Sequence, residues 1–130
     1  MHTFSKEERL CSRTLIQGLF ANGSSFFVYP LAIHYQIAEP GTLPKPAQVT
    51  FAVSKKRFKR AVDRNLLKRR LKEAYRLNKV KFYEGLNQSN KQVVFLVSYS
   101  AKDIQPYHRL QSKVEQLLDK LLVEINQKSA

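Results

Sequence analysis

KKRFKRAVDRNLLKRRLKEAYRLNKVK, residues 55–81, carries thirteen Lys and Arg against two acids, Asp63 and Glu73. That surplus of eleven accounts for nearly all of the +13 of the 130-residue chain, so the remainder is close to neutral. From Ala61 to Leu77 there is no Gly or Pro, and Leu, Lys, Arg, Glu and Ala are good helix formers. The composition predicts a helix over 61–77. At about 100° per residue it sets Arg60, Arg64, Lys68, Lys72 and Arg76 along one slowly winding row. Arg57, Asn65 and Arg69 fall beside that row. Leu66, Leu67, Leu71, Ala74 and Leu77 lie on the opposite arc and give the helix a face to bury; Arg70 and Asp63 intrude at its edge.

Seventeen residues at ~1.5 Å rise make a rod of roughly 25 Å, long enough to run along several phosphates. Each phosphate neutralised releases condensed counterions, which gives strong, salt-dependent and sequence-blind affinity. Arg adds bidentate bonding to phosphate oxygens. Asn65, set among the cations, both donates and accepts, and so suits a base edge or a 2′-hydroxyl. A basic row on a mixed-charge helix is often only a solvated face. Here too few acids compensate it, and a polyanionic partner is the expectation.

The rest of the chain supplies a body for this helix. Its length is that of one domain, read as residues 1–130 with an extended arm over 1–11. Hydrophobic residues make up 43%, enough for a single core. Ser5 and Glu8 have capping-box spacing and Ser12 is a second cap candidate. Leu15, Ile16, Leu19 and Phe20 recur at helical spacing, and Asn22-Gly23 reads as a left-handed stop, which gives a helix over 12–22. The aromatic and β-branched run 25–37 reads as one strand, with Pro30 restricting it to an edge or a bulge. The turn residues of 39–46 make 48–54 its expected antiparallel partner. Residues 81–91 read as a polar connection, and the continuously apolar 92–100 as a central strand buried on both faces. A last helix, opened by Ser100 or Asp103, carries the stripe Tyr107, Leu110, Val114, Leu117, Leu121 and Ile125. That stripe is too short for a coiled coil and suits packing on the sheet. The order helix–strand–strand–helix–strand–helix indicates an α+β sandwich with a small, mainly antiparallel sheet.

Catalytic chemistry has no evident home in the polypeptide. The ten acids are scattered without a ligand spacing for Mg²⁺. His2, His34 and His108 are far apart, and the single Cys11 offers neither a metal pair nor an internal disulfide. Neither a signal peptide nor an apolar run of membrane-spanning length is present, so a cytoplasmic protein with no membrane partner is expected. A membrane-surface role for the basic helix is disfavoured by its lack of bulky aromatics on the apolar arc.

The run VSKKRFKRAVDRNLLKRRLKEAYR, with LIQGLFANG upstream and VVFLVSYSAKD downstream, resembles the protein subunit of bacterial ribonuclease P. The family's core signature falls here on Arg64, Asn65, Lys68, Arg69 and Lys72, and Ser54-Lys55-Lys56 and Ala61-Val62 also fit. The resemblance implies a small α-β sandwich of about four strands and three helices, with a left-handed βαβ crossover through the basic helix. It further implies an accessory subunit of a ribonucleoprotein endoribonuclease, with no catalytic residue in the protein. Its partners would be the catalytic RNA and precursor tRNA, whose 5′ leader is removed with Mg²⁺ bound mainly by RNA; no protein partner is evident. The implied RNA-docking residues are Lys55, Lys56, Arg60, Arg64, Asn65, Lys68, Arg69, Lys72 and Arg76. The implied leader groove is formed by Ile16, Phe20, His34, Ala52 and Lys56, although for Phe20 simple core packing is the alternative. A non-catalytic structural RNA binder of ribosomal type is the competing reading of the same charge.

Overall fold

The computed structural model describes residues 6–10 and 12–128. After a 3-10 turn at Lys6–Glu8 come α1 (Arg13–Asn22), β1 (Ser24–Val28), β2 (Leu31–Ala38) and β3 (Ala47–Val53). The long helix α2 (Ala61–Gln88), β4 (Gln92–Tyr99) and α3 (Tyr107–Lys128) complete the α+β fold. The four strands form one sheet in the order β1-β2-β4-β3.

One face of the sheet carries the main core. Alternate residues Leu31, Ile33 and Tyr35 of β2, Val49, Phe51 and Val53 of β3, and Val93, Phe95 and Val97 of β4 meet Leu67, Leu71, Tyr75, Phe82 and Leu86 of α2. Leu110, Val114, Leu117, Leu121 and Ile125 of α3 close this layer, so the apolar stripe read in the sequence is buried. On the opposite face a smaller cluster joins Leu10, Leu19, Val94 and Leu96, with Ile16, Leu43 and Ala52 packed against it. β4 is buried on both faces, in keeping with its unbroken apolar run.

Several expectations are corrected. The run 25–37 is two strands, because the chain reverses at Tyr29-Pro30 and β1 pairs antiparallel with β2, Val28 opposite Leu31. Pro30 occupies the turn, where its missing N–H costs nothing, and is not a bulge in one strand. β3 does not pair with β2: β4 inserts between them, antiparallel to β2 and parallel to β3. Two apolar faces on β4 favour that central place, which the turn residues of 39–46 could not reveal. The sheet is therefore mixed, its parallel pair joined through α2.

Residues 81–88 are helix, not connection. Phe82 and Leu86 are buried on the same stripe as Tyr75, and Gly85 allows α3 to approach: a Cβ there would lie 2.8 Å from Leu122 Cδ1. Beyond the end of α2, Asn90 is left-handed at φ 53°. Gly23, by contrast, is extended at φ −77°; its missing side chain answers crowding, since a Cβ would meet the carbonyl oxygens of Leu19 at 2.5 Å and Tyr35 at 2.9 Å. Ser12 does cap α1, accepting from the Leu15 amide at 3.3 Å. Ser5 of the expected capping box and Cys11 lie outside the described residues; Glu8 has other partners, described below. α3 starts at Tyr107 and not at Ser100 or Asp103, because Tyr99 holds the intervening turn. Its hydroxyl donates to the Asp103 carbonyl at 2.7 Å and accepts from the Gln105 amide at 2.9 Å.

Candidate nucleic-acid interface

The N-terminal half of α2 is tethered to the loop that precedes it. Phe58 is buried against Tyr99, with ring centroids 5.8 Å apart, and its amide donates to the Ser54 carbonyl at 3.0 Å. The Arg64 guanidinium then donates to the carbonyls of Phe58 at 2.8 Å and Lys59 at 2.9 Å. Arg57 donates to the Ser100 carbonyl. These bonds hold loop 54–60 in a compact turn from which Lys55 and Lys56 project into solvent. Arg70, at the edge of the apolar arc, donates to the Gln105 carbonyl at 2.8 Å and so ties α2 to the entry of α3.

Along α2 four of the five signature residues converge, and Arg64 is the exception. Asn65, Lys68, Arg69, Lys72 and Arg76, with Glu73, line one open groove of about 530 Å³. Asn65, Arg69 and Lys72 are exposed and Lys68 is half-buried. Arg76 shares the groove but is matched by Glu73, with Nε to Oε2 at 2.9 Å and Nη2 to Oε1 at 2.5 Å. Hydrogen bonding from Arg76 lowers the Glu73 pKa, so this pair stays ionised at neutral pH. Arg60 is exposed at the helix start, 3.9 Å from Asp63, and Arg64 is turned toward the loop carbonyls. Among the described residues, the cations of this face without an acidic partner are thus Lys68, Arg69 and Lys72, with Asn65 among them.

Besides Glu73, one further lining residue, Arg9, stands outside the expected set. Arg9 faces Asn65, Lys68 and Lys72 across the groove, and with Leu10 it also borders a smaller depression of about 230 Å³ over Val49, Thr50 and Phe51. Arg9 forms a parallel bridge with Val49, and the Leu10 amide donates to the Val49 carbonyl at 3.0 Å, so the arm adds to the free edge of β3. Before it, Glu8 is buried and receives Lys79 Nζ at 2.7 and 2.9 Å, with the Tyr83 hydroxyl donating to the same carboxylate. Burial, then Tyr75 and Glu8 nearby, push the Tyr83 pKa far above the ordinary tyrosine value and keep that donor protonated. Lys79 belongs to the buried stripe of α2, which makes it the one cation in the basic run that faces the core. No local pattern in KEERL betrays these contacts; they arise from the edge of β3 and the second half of α2.

The opposite face of the sheet holds the other predicted group. Phe20 is 60% exposed, which rules out core packing, and its ring lies 4.9 Å from that of His34 at 51°. Ile16 and Ala52 are half-buried beside Leu19, Val94 and Leu96. These four share one face, where α1 lies over β2 and β4. Lys56 is four residues beyond Ala52 on the exposed loop and makes no described contact with them. Among the described residues, no three His, Cys, Asp or Glu side chains gather as a metal site, and no helix is long and apolar enough to cross a membrane.

Comparison with known proteins covers most of the chain. The family model Ribonuclease P matches residues 4–122. Proteins named ribonuclease P protein component are similar: that of Symbiobacterium thermophilum is 35% identical over 115 residues, 88% of this chain and 91% of its own. That of Chlorobium phaeobacteroides is 31% identical over 127 residues, 91% of this chain and 87% of its own. A Porphyromonas gingivalis relative is 45% identical over 75 residues, and there the chain spans 54% of the relative's length. The solved RNase P protein from Thermotoga maritima has the same fold, with a TM-score of 0.68 at 22% identity over 87% of this chain and 96% of that one. The Staphylococcus aureus RNase P protein gives 0.65 at 20% identity, covering 88% and 94%.

Proposed function

The chain belongs to the ribonuclease P protein family, and on that premise we propose that it is the accessory subunit of a cytoplasmic ribonucleoprotein that removes the 5′ leader of precursor tRNA. The α2 groove docks on the catalytic RNA, with Lys68, Arg69 and Lys72 neutralising phosphates and Asn65 bonding a base edge or 2′-hydroxyl. Lys55, Lys56 and Arg60 extend the positive surface along the loop and the helix start. The opposite face, with Phe20 and His34 at its centre and Ile16 and Ala52 beneath, takes the single-stranded leader by stacking, and Lys56 contributes a cation at its rim. Mg²⁺ is held by RNA, and the protein contributes positive charge that screens repulsion between enzyme RNA and substrate.

The observation that carries this reading is the convergence of Asn65, Lys68, Arg69 and Lys72 with Arg9 in one groove. Adding the protein to its cognate catalytic RNA at low Mg²⁺ should restore leader removal. Absence of rescue, with RNA binding intact, would instead favour a structural RNA binder of ribosomal type.

A further inference from the structure

We propose that Phe27 and Tyr29 form a second stacking platform for single-stranded RNA, which takes leader nucleotides lying beyond Phe20 and His34. The proposal rests on the leader-groove reading above and extends it to residues that the reading does not use.

β1 sends its aromatics to both faces. Phe26 turns inward, with its ring 6.0 Å from Tyr35 and Lys120 Nζ 5.1 Å above it. Phe27 turns to the opposite face, across from Ala32, one step from the Ser25–His34 pair, and remains 52% exposed. Tyr29 follows at the reversal, 57% exposed, with ring centroid 6.0 Å from that of Phe27 at 59°. At that angle and distance the two rings are not stacked on each other, so each keeps a π-face for a base. Ala32, Ser98 and Ala52 are cross-strand neighbours in the row facing Phe27, and they carry little bulk that would obstruct a flat base.

Charge identifies the occupant. The Ser100 amide donates to the Pro30 carbonyl at 2.7 Å, and the Ser100 carbonyl accepts from Arg57. The turn bearing Tyr29 is therefore tied through one residue to the loop that exposes Lys55 and Lys56. Aromatic faces beside cations on a chain of net charge +13 suit a phosphodiester strand, whose bases stack without regard to sequence while the cations hold the backbone.

The test uses the ribonucleoprotein reconstituted with its cognate catalytic RNA and precursors with leaders of about four and about twelve nucleotides, within the range one single-strand site spans. The Phe27→Ala/Tyr29→Ala double variant should lose at least about fivefold in affinity for the long leader, the lower end for one stacked base. Binding of the short-leader precursor and of mature tRNA should hold. The Phe27→Leu/Tyr29→Leu pair, apolar but without π-faces, should lose as much, whereas Phe27→Tyr/Tyr29→Phe should restore binding. Phe20→Ala separates the two ideas. A loss confined to Phe20→Ala overturns the second platform and leaves the groove standing; no leader-dependent loss in either variant overturns both. Altered self-association with an unchanged long-leader advantage would assign the patch to a second copy of the chain and overturn the proposal.

Discussion

Replacing Lys79 with Met would test how the N-terminal arm is held. Met keeps an unbranched apolar side chain on the buried stripe of α2 but takes away the cation that neutralises the Glu8 carboxylate, to which the Tyr83 hydroxyl still donates. Breaking a buried ion pair costs about 3–5 kcal/mol when the remaining charge must stay buried. Glu8, however, sits on a short segment held also by the burial of Leu10, the Leu10 amide bond to Val49 and the Gln48 side chain, which donates to the Glu7 carbonyl at 3.2 Å. Burial of Leu10 is worth ~2 kcal/mol, and its amide bond to Val49 ~1 kcal/mol. The two are comparable with the cost of the orphaned charge, so the arm should release and let Glu8 reach water. Global stability should then fall by less than the ~3–5 kcal/mol of a charge left buried, with the α2–sheet core intact. Arg9 would leave the RNA groove, lowering the slope of log affinity against log salt by about one phosphate contact, ~0.7–0.9. Urea denaturation, hydrogen exchange at the Leu10 amide and a salt titration of RNA binding would read these three effects. Arg9→Ala should reproduce the slope change while leaving the Glu8–Lys79 pair in place. A Lys79→Met protein that kept the Leu10 amide protected and the salt slope unchanged would refute the reasoning.

Other outcomes follow from single contacts. Gly23→Ala should lower stability by about 1–3 kcal/mol in thermal melts, because the added Cβ meets two backbone carbonyls that cannot rotate away. Arg69→Ala should weaken RNA binding and flatten its salt dependence with stability unchanged, whereas Arg64→Ala should also cost ~1 kcal/mol, since its guanidinium holds the Phe58 and Lys59 carbonyls. Phe20→Ala should reduce affinity for leader-bearing precursor relative to mature tRNA; an unchanged ratio would remove Phe20 from the leader site. In alkali, burial and then the bond to Glu124 push the Tyr35 pKa up to about 12. The folded form therefore retains a proton that the unfolded chain gives up near pH 10, so stability should be full below pH 10 and decline from there to pH 12. Tyr35→Phe should blunt that decline in denaturant midpoints measured across the range.

Charge and period made the basic helix legible. Arg64, Asn65, Lys68, Arg69 and Lys72 stand in a spacing that any helix turns into a single face, and Leu67, Leu71 and Ala74 on the other side guarantee that this face looks outward. The unbroken apolar run of β4 likewise announced a strand with two covered faces. The local signals that misled were punctuation. The polar run 81–91 suggested a linker, yet its Gly85 is a close approach between α2 and α3. Pro30 in a single strand suggested an edge or a bulge, yet it stands at the reversal between two strands, of which β1 is at the sheet edge.

Periodicity is a property of neighbours in sequence, and it was enough to determine the α2 face, the α3 stripe and the positive groove's main lining. Pairing between distant segments is not encoded in any window. Only the folded chain set β4 between β2 and β3, bonded the arm to the β3 edge and brought Glu8 to Lys79, 71 residues away. A buried cation looks the same in sequence as a solvated one until the partner that neutralises it has been placed.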